Sequence, residues 1–343
     1  MKTRDSRFEL LRIGAIFLII IYHYALYGPW QTQTTAQLTD FGLFTYLPLG
    51  HVGVKLLVLI TGYFSATKQF NLKTTGHKIK TIWLQVFFYS VTIELLFSAI
   101  RGVSPLRLLT AIFPIILNEY WFVTAYLFLM ALIPFINLLI KQLDKRAFIA
   151  LILICTLLSD VLPRLGNTTG GGDITSLMIL ITAYLIGAFI KIYDFQLSHR
   201  QNLLLIGGNL LLIYLSFVGF SLLGLSSERS HHLIYGIFPL LCASGLFLLV
   251  KASRPYTNKT VNLIASTTFA AYLISEHPAV RPYLWRRLLD FGQYQQQPLL
   301  MLGIGLACGV AIILLAAMID LLRQHISNQL SAHKKRHAIE KAV

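Results

Sequence analysis

Charged side chains are scarce in this 343-residue sequence, at 13%, about half the share of an ordinary soluble domain. Acid is scarcest, with 14 Asp and Glu against 29 Lys and Arg. No long polar stretch exists to build a sizeable water-soluble domain, which excludes a cytosolic enzyme and a disordered chain. Cysteine is also rare. Cys155, Cys242 and Cys308 lie far apart within apolar runs, which excludes a disulfide framework and a zinc site. What the chain does have is hydrocarbon: 56% of its residues are hydrophobic and the mean hydropathy is +0.67. Runs long enough to cross a bilayer as helices, roughly 20 residues each, recur along its length.

The runs predict an all-α integral membrane protein with ten spans, near 8–29, 48–66, 79–99, 120–140, 146–162, 174–193, 202–225, 231–250, 261–279 and 299–322. The first is too long for a cleaved signal and carries Arg12 and His23. With the N-terminus cytoplasmic, 20 of the 29 Lys and Arg fall on the inner side and 7 on the outer, while Arg12 and Lys55 lie within spans. That asymmetry fits both termini inside. It also accounts for the net charge of +15 without nucleic acid. Trp30, Trp83 and Trp121 fall at span ends, as interfacial anchors do, and Trp285 lies in the last outer loop. Residues 106–117 are apolar but too short to cross and read as an interfacial or re-entrant piece. The Gly-rich stretch from Asn167 to Asp173 reads as a flexible outer loop. The expected division is a polytopic transmembrane domain at 1–325 and a basic cytoplasmic tail at 326–343, lying along the anionic inner leaflet.

A charge within a span costs at least a few kcal/mol unless paired or hydrated. The first span holds Arg12 and His23 in RIGAIFLIIIYH, eleven residues apart. Eleven residues turn a helix by about three full turns plus 20°, so both side chains share a face, roughly 16 Å apart along the axis. Arg12 suits phosphate, because its guanidinium stays charged and binds in a fork. His23 suits removal of a proton from a sugar hydroxyl near neutral pH. A long thin donor such as acyl-coenzyme A would reach from one to the other. The plainer alternatives are an Arg12 that snorkels to inner phosphates and a His23 that satisfies a helix contact. Lys55, Glu94, Glu119, Trp121, Glu276, His277 and His51 gather toward the outer half. Lys55 and Glu94 could instead form a structural ion pair, with each other for instance. On the inner side Lys73, His77, Lys78 and Lys80 read either as topology charges or as a phosphate cradle beside Arg12.

The ordered motifs resemble the acyltransferase-3 family of integral membrane acyltransferases. Arg, ten residues and His stand in RFELLRIGAIFLIIIYHY. VGVKLLVLITGYF matches the second span, Lys78 and Lys80 follow as the basic cluster, WFVTAYLFLMALIPFIN at 121–137 matches the fourth, and TTFAAYLISEHP at 267–278 matches a late span. Departures exist. Lys55 stands where Asp, Asn or Pro is more usual, the late YLIH reads YLIS with His277 displaced by two, and Lys replaces the paired Arg of the basic cluster. No hydrolase domain follows the tenth span, so a relay through one is not expected.

The resemblance implies transfer of an acyl group, most often acetyl, from cytosolic acetyl-CoA or another acyl-CoA to a hydroxyl of a cell-envelope glycan or lipid-linked sugar, without a metal. It implies His23 as catalytic residue and Arg12 as donor-site residue. Glu119 and Glu276 are the further catalytic candidates. Lys73, Lys78 and Lys80 are candidates for the donor, and Lys55, Glu94, Trp121, Tyr126 and His277 for the acceptor. The expected location is a cell membrane of bacterial inner-membrane type, in contact with lipids and not with nucleic acid. Two other classes suit a polytopic chain. A glycolipid or polysaccharide transporter or flippase would show Gly- or Pro-broken helices in matched halves, and Pro114, Pro134 and Pro239 form no such pair. A non-catalytic partner of a polysaccharide synthase would leave Arg12 and His23 without a task.

Overall fold

The computed structural model describes residues 4–31, 40–165, 173–224 and 232–340. It is 83% helical, with no strand among the described residues. The order is α1 (Ser6–Tyr27), α2 (Phe41–Ser65), α3 (Leu72–Arg101), the short α4 (Pro105–Ile112), α5 (Trp121–Gln142), α6 (Lys145–Thr156) continued through a π turn (Leu157–Val161) into α7 (Leu162–Leu165), α8 (Asp173–Ile192), α9 (His199–Leu222), α10 (His232–Tyr235), α11 (Ile237–Ala252), α12 (Lys259–Ala265), α13 (Thr268–Ser275), α14 (Val280–Tyr283), a second π turn (Leu284–Leu288) and α15 (Pro298–Glu340).

Among the described residues, seven helices are long and apolar enough to cross a membrane: α1, α2, α3, α5, α8, α9 and α15. The other three expected spans coincide with interrupted helical segments. Residues 145–165 carry the π turn, residues 232–252 break at Gly236, and residues 259–275 turn at Ser266 and Thr267. Seven of the ten expected spans are thus matched by long apolar helices among the described residues, and the count of ten is not confirmed. The hydropathy runs located these segments but could not register the breaks. The expected boundaries also shift. α2 starts at Phe41 rather than 48, with Pro48 inside it, and α15 continues in helix to Glu340, well into the stretch assigned to a tail. Most of the loop expected at Asn167 to Asp173 lies outside the described residues; Asp173 opens α8.

Among the described residues, five helix starts are capped by a side-chain oxygen, and each lies by a Lys- or Arg-bearing segment expected to be cytoplasmic. Asp5 accepts from the N–H of Arg7, Asn71 from Thr74, Asp144 from Ala147, Ser198 from Gln201 and Asn258 from Val261. Each cap satisfies one of the backbone donors that a helix start leaves open. Asp5 also takes the Arg7 guanidinium at 2.7 Å, and this hydrogen bond and charge hold its carboxyl below the usual carboxylate range.

α2 is the centre of the bundle, packed on α1, α8, α9 and α11, and α1 in turn meets α12, α13 and α15. Close approach to α8 depends on two glycines facing each other's helix. A Cβ on Gly62 would strike the Tyr184 carbonyl, and one on Gly187 would strike the Leu59 carbonyl. In lipid, where tails are as apolar as leucine, such small-residue seams let backbones pack. Near the other end, Tyr89 of α3 donates to Asp320 of α15 at 2.6 Å, where Arg323 also binds.

Candidate active site

His23 lies in the last two turns of α1 and is buried, 4% exposed. Its Nδ1 stands 3.1 Å from Oε1 of Glu276, out of line for a hydrogen bond, and neither atom has another partner. Glu276 is the residue that ends α13. Its second oxygen accepts from the Tyr27 hydroxyl at 3.4 Å and lies 3.9 Å from Arg281, which also stacks over the Tyr27 ring. The ring of Tyr272 is 6.5 Å from that of His23, and its buried hydroxyl lacks a partner. A histidine, a carboxylate and a phenol thus converge with unsatisfied polar atoms. Buried polar groups normally find partners, so the cluster is set up to receive one.

Below it on α1, Arg12 binds Glu9 at 2.8 Å and lines a recess of about 630 Å³. Lys68 and Lys78 stand at its polar side, with Asn71, Thr74, Thr75 and Thr81. Burial, together with the charges of Lys78 and Arg12, lowers the Lys68 ammonium from its usual 10.5. Tyr126, hydrogen-bonded to Thr61 at 3.0 Å, forms the apolar wall. An adjoining apolar cavity of about 290 Å³ shares Arg12, Thr61, Ile82 and Tyr126, and runs up past Ile16 to Phe122. The Phe122 ring touches that of Tyr272 at 5.8 Å, the ring that faces His23. His23 itself lines neither cavity.

A third cavity, about 370 Å³, sits at the far end of α3. Its wall includes Ser90, Glu94, Arg101, Arg107, Glu119 and His277. Glu94 is held by Arg101 at 2.7 Å. His277 accepts the Ala279 N–H on Nδ1 at 3.0 Å, so Nε2 carries the proton and donates to the Ser90 carbonyl at 3.0 Å. From Lys78 to Arg101 is about 35 Å of helix, so the Arg12 recess and this cavity lie at opposite ends of α3.

The acyltransferase-3 family model, described as an acyltransferase domain, matches residues 5–318. The chain belongs to the acyltransferase-3 family. It is therefore a membrane acyltransferase. Comparison with curated proteins and with solved structures gives no significant match.

Within this acyltransferase, the structure gathers the sequence candidates into separate groups. His23 and Glu276 meet. Arg12, Lys78 and Tyr126 share the recess, so Tyr126 is grouped with Arg12 and not with Glu94 and His277. Lys73 and Lys80 are exposed and line none of the three cavities. Glu119, Glu94 and His277 line the outer cavity, so Glu119 is grouped apart from His23. Trp121 is 38% exposed and packs edge-on against Phe122. Lys55 does not pair with Glu94. It is fully buried on Asp160 of the π turn and on the Gly236 carbonyl at 3.0 Å, while Glu94 takes Arg101. Asp160 also accepts from Ser159 at 2.5 Å. The charged and phenolic residues of these clusters that were not among the candidates include Tyr27, Lys68, Arg101, Arg107, Asp160, Tyr272 and Arg281. For Asp160 a signal existed, since it is the single acidic residue in the run 146–162.

Proposed function

We propose that the protein is an O-acyltransferase moving an acyl group, acetyl in the simplest case, from cytosolic acyl-CoA to a hydroxyl of a cell-envelope glycan or lipid-linked sugar. The observation that carries this reading is the His23–Glu276 contact at the end of the helix that also presents Arg12 to a basic recess. Donor phosphates rest beside Arg12, Lys68 and Lys78, and the pantetheine arm follows the apolar cavity toward Phe122. A small rotation of the imidazole brings Nδ1–H into line with Glu276 Oε1, 3.1 Å away, which leaves the Nε2 lone pair to act as base. Nε2 takes the proton of the acceptor hydroxyl as its oxygen attacks the thioester carbonyl. The C–S bond breaks, and the proton passes from the imidazolium to the departing thiolate. Glu276 stabilises the imidazolium in between, with Tyr27 and Arg281 holding its other oxygen. For the thioester to reach Nε2, the Phe122–Tyr272 contact has to part.

The test is transfer by the purified protein in lipid vesicles, with acetyl-CoA labelled in the acetyl group and envelope glycan as acceptor. Label appearing on glycan as a base-labile ester supports the reading. Label remaining on coenzyme A with acetyl, propionyl and longer donors alike overturns it.

A further inference from the structure

The outer cavity has no task in the donor half of the reaction, yet it adjoins the reacting pair. Glu276 and His277 are consecutive; one faces His23 and the other lines the cavity. The remaining wall combines an apolar part, Leu106, Ala111, Pro278, Ala279 and Pro282, with an unequal set of charges. Glu94 and Arg101 neutralise each other. Arg107 is exposed at the rim, with no carboxylate in ion-pair distance among the described residues, and Glu119 likewise stands without a cation. One cation and one acceptor are thus left for a ligand.

The rim says how that ligand arrives. Arg107 belongs to α4, too short to cross a membrane, and the surrounding surface is bare hydrocarbon. Ile100 is 86% exposed, Leu106 70% and Ile116 78%, with Val103, Leu109 and Phe113 exposed beside them. A helix of this kind lies in the interfacial plane with its apolar residues in the acyl region. That depth puts Arg107 at the level of lipid headgroups, where an unpaired guanidinium meets phosphate.

We propose that the outer cavity holds the sugar-phosphate headgroup of a lipid-anchored glycan, with Arg107 on the phosphate and Glu119 on a sugar hydroxyl. The lipid tail stays in the bilayer against α4, and the sugar enters between α3 and the 276–282 segment toward His23. Guanidinium recognises phosphate by charge-assisted hydrogen bonds, and a carboxylate accepts from a hydroxyl. The assignment rests on the acyl-transfer reading and narrows its acceptor from any envelope glycan to a lipid-linked one.

Native mass spectrometry of the detergent-purified full chain tests it, with polyprenyl-phosphate glucose, polyprenyl phosphate, phosphatidylglycerol and free glucose 1-phosphate as probes. Polyprenyl-phosphate glucose should be retained about tenfold better than phosphatidylglycerol, the scale of one charge-assisted hydrogen bond, and better than glucose 1-phosphate, which lacks the tail that lies against α4. Arg107→Gln should weaken both polyprenyl lipids, and Glu119→Gln the sugar-bearing one alone. Acetyl-CoA binding by both variants verifies that they fold. Equal retention of phosphatidylglycerol would make this a general phospholipid site and overturn the assignment. Equal binding of free glucose 1-phosphate, or an unchanged Arg107→Gln, would overturn it too. Selective headgroup binding without acyl transfer would overturn the acyl-transfer reading and leave the site standing; transfer without selective binding would overturn the site alone.

Discussion

The Lys55–Asp160 pair makes a quantitative claim about what holds the bundle together. Both side chains are buried, at 1% and 0% exposure. Asp160→Asn would leave an ammonium in the membrane core with the Gly236 carbonyl as its remaining partner. Removing one member of a buried pair costs about 3–5 kcal/mol, because the other charge stays desolvated. Lys55→Met strands the carboxylate instead, with the Ser159 hydroxyl as donor, and also removes the donor to the Gly236 carbonyl, an orphan worth about 1–3 kcal/mol. Each single substitution should therefore lower the folded-to-unfolded ratio by about a thousandfold. The double substitution Lys55→Met with Asp160→Asn leaves no unpaired charge. It should cost about 1–3 kcal/mol, the Gly236 orphan alone, and so be more stable than either single variant. Reversible unfolding of the purified protein from mild detergent into dodecyl sulfate, followed by tryptophan fluorescence, measures all three. Single variants within about 1 kcal/mol of the parent would refute the reasoning, since surface pairs are worth that little. So would a double variant whose loss equals the sum of the singles.

Three further outcomes follow from the site. Glu276→Gln keeps the shape but removes the charge that orients His23, so turnover should fall about a hundredfold with donor affinity unchanged; a matching loss of donor affinity, read by equilibrium dialysis, would contradict that role. Arg12→Lys should bind acetyl-CoA more weakly than the parent and Arg12→Ala more weakly still, because an ammonium keeps charge but loses the fork; equal, undiminished affinity in both would mean that Arg12 only snorkels. Lys68 titrates below the usual 10.5, so donor affinity should decline with rising pH before ordinary lysines deprotonate, and Lys68→Met should flatten that decline. The same lowered value means that the unfolded chain binds the proton more readily, so this group's contribution to stability rises with pH between its folded and unfolded values.

Much of the fold was legible because lipid enforces it. A backbone in hydrocarbon has to satisfy its own hydrogen bonds, so apolar runs became helices where expected. The breaks were not legible, since the π turn at Leu157–Val161 and the break at Gly236 are where Lys55 meets Asp160 and the Gly236 carbonyl, contacts between groups distant in sequence. Helical geometry alone predicts Arg12 and His23 on one face, because a single helix carries both. The partner of His23 could be suspected but not assigned. Glu276 comes from the other end of the chain, and hydropathy gives no tertiary pairing. Arg281 counted in sequence only as an outer-loop charge, and its position 3.9 Å from Glu276 follows from the turn after α13. Glu119 and Glu276 looked equivalent as acids at span ends; packing separates them, one to the outer cavity and one to His23.

The central claim is that His23 is the base, and mass spectrometry of envelope glycans from cells carrying the parent or His23→Ala tests it most directly. At matched membrane levels the ester-linked acyl increment should fall about 10²–10⁴-fold, the usual weight of general-base catalysis. Acylation undiminished in His23→Ala would contradict the account.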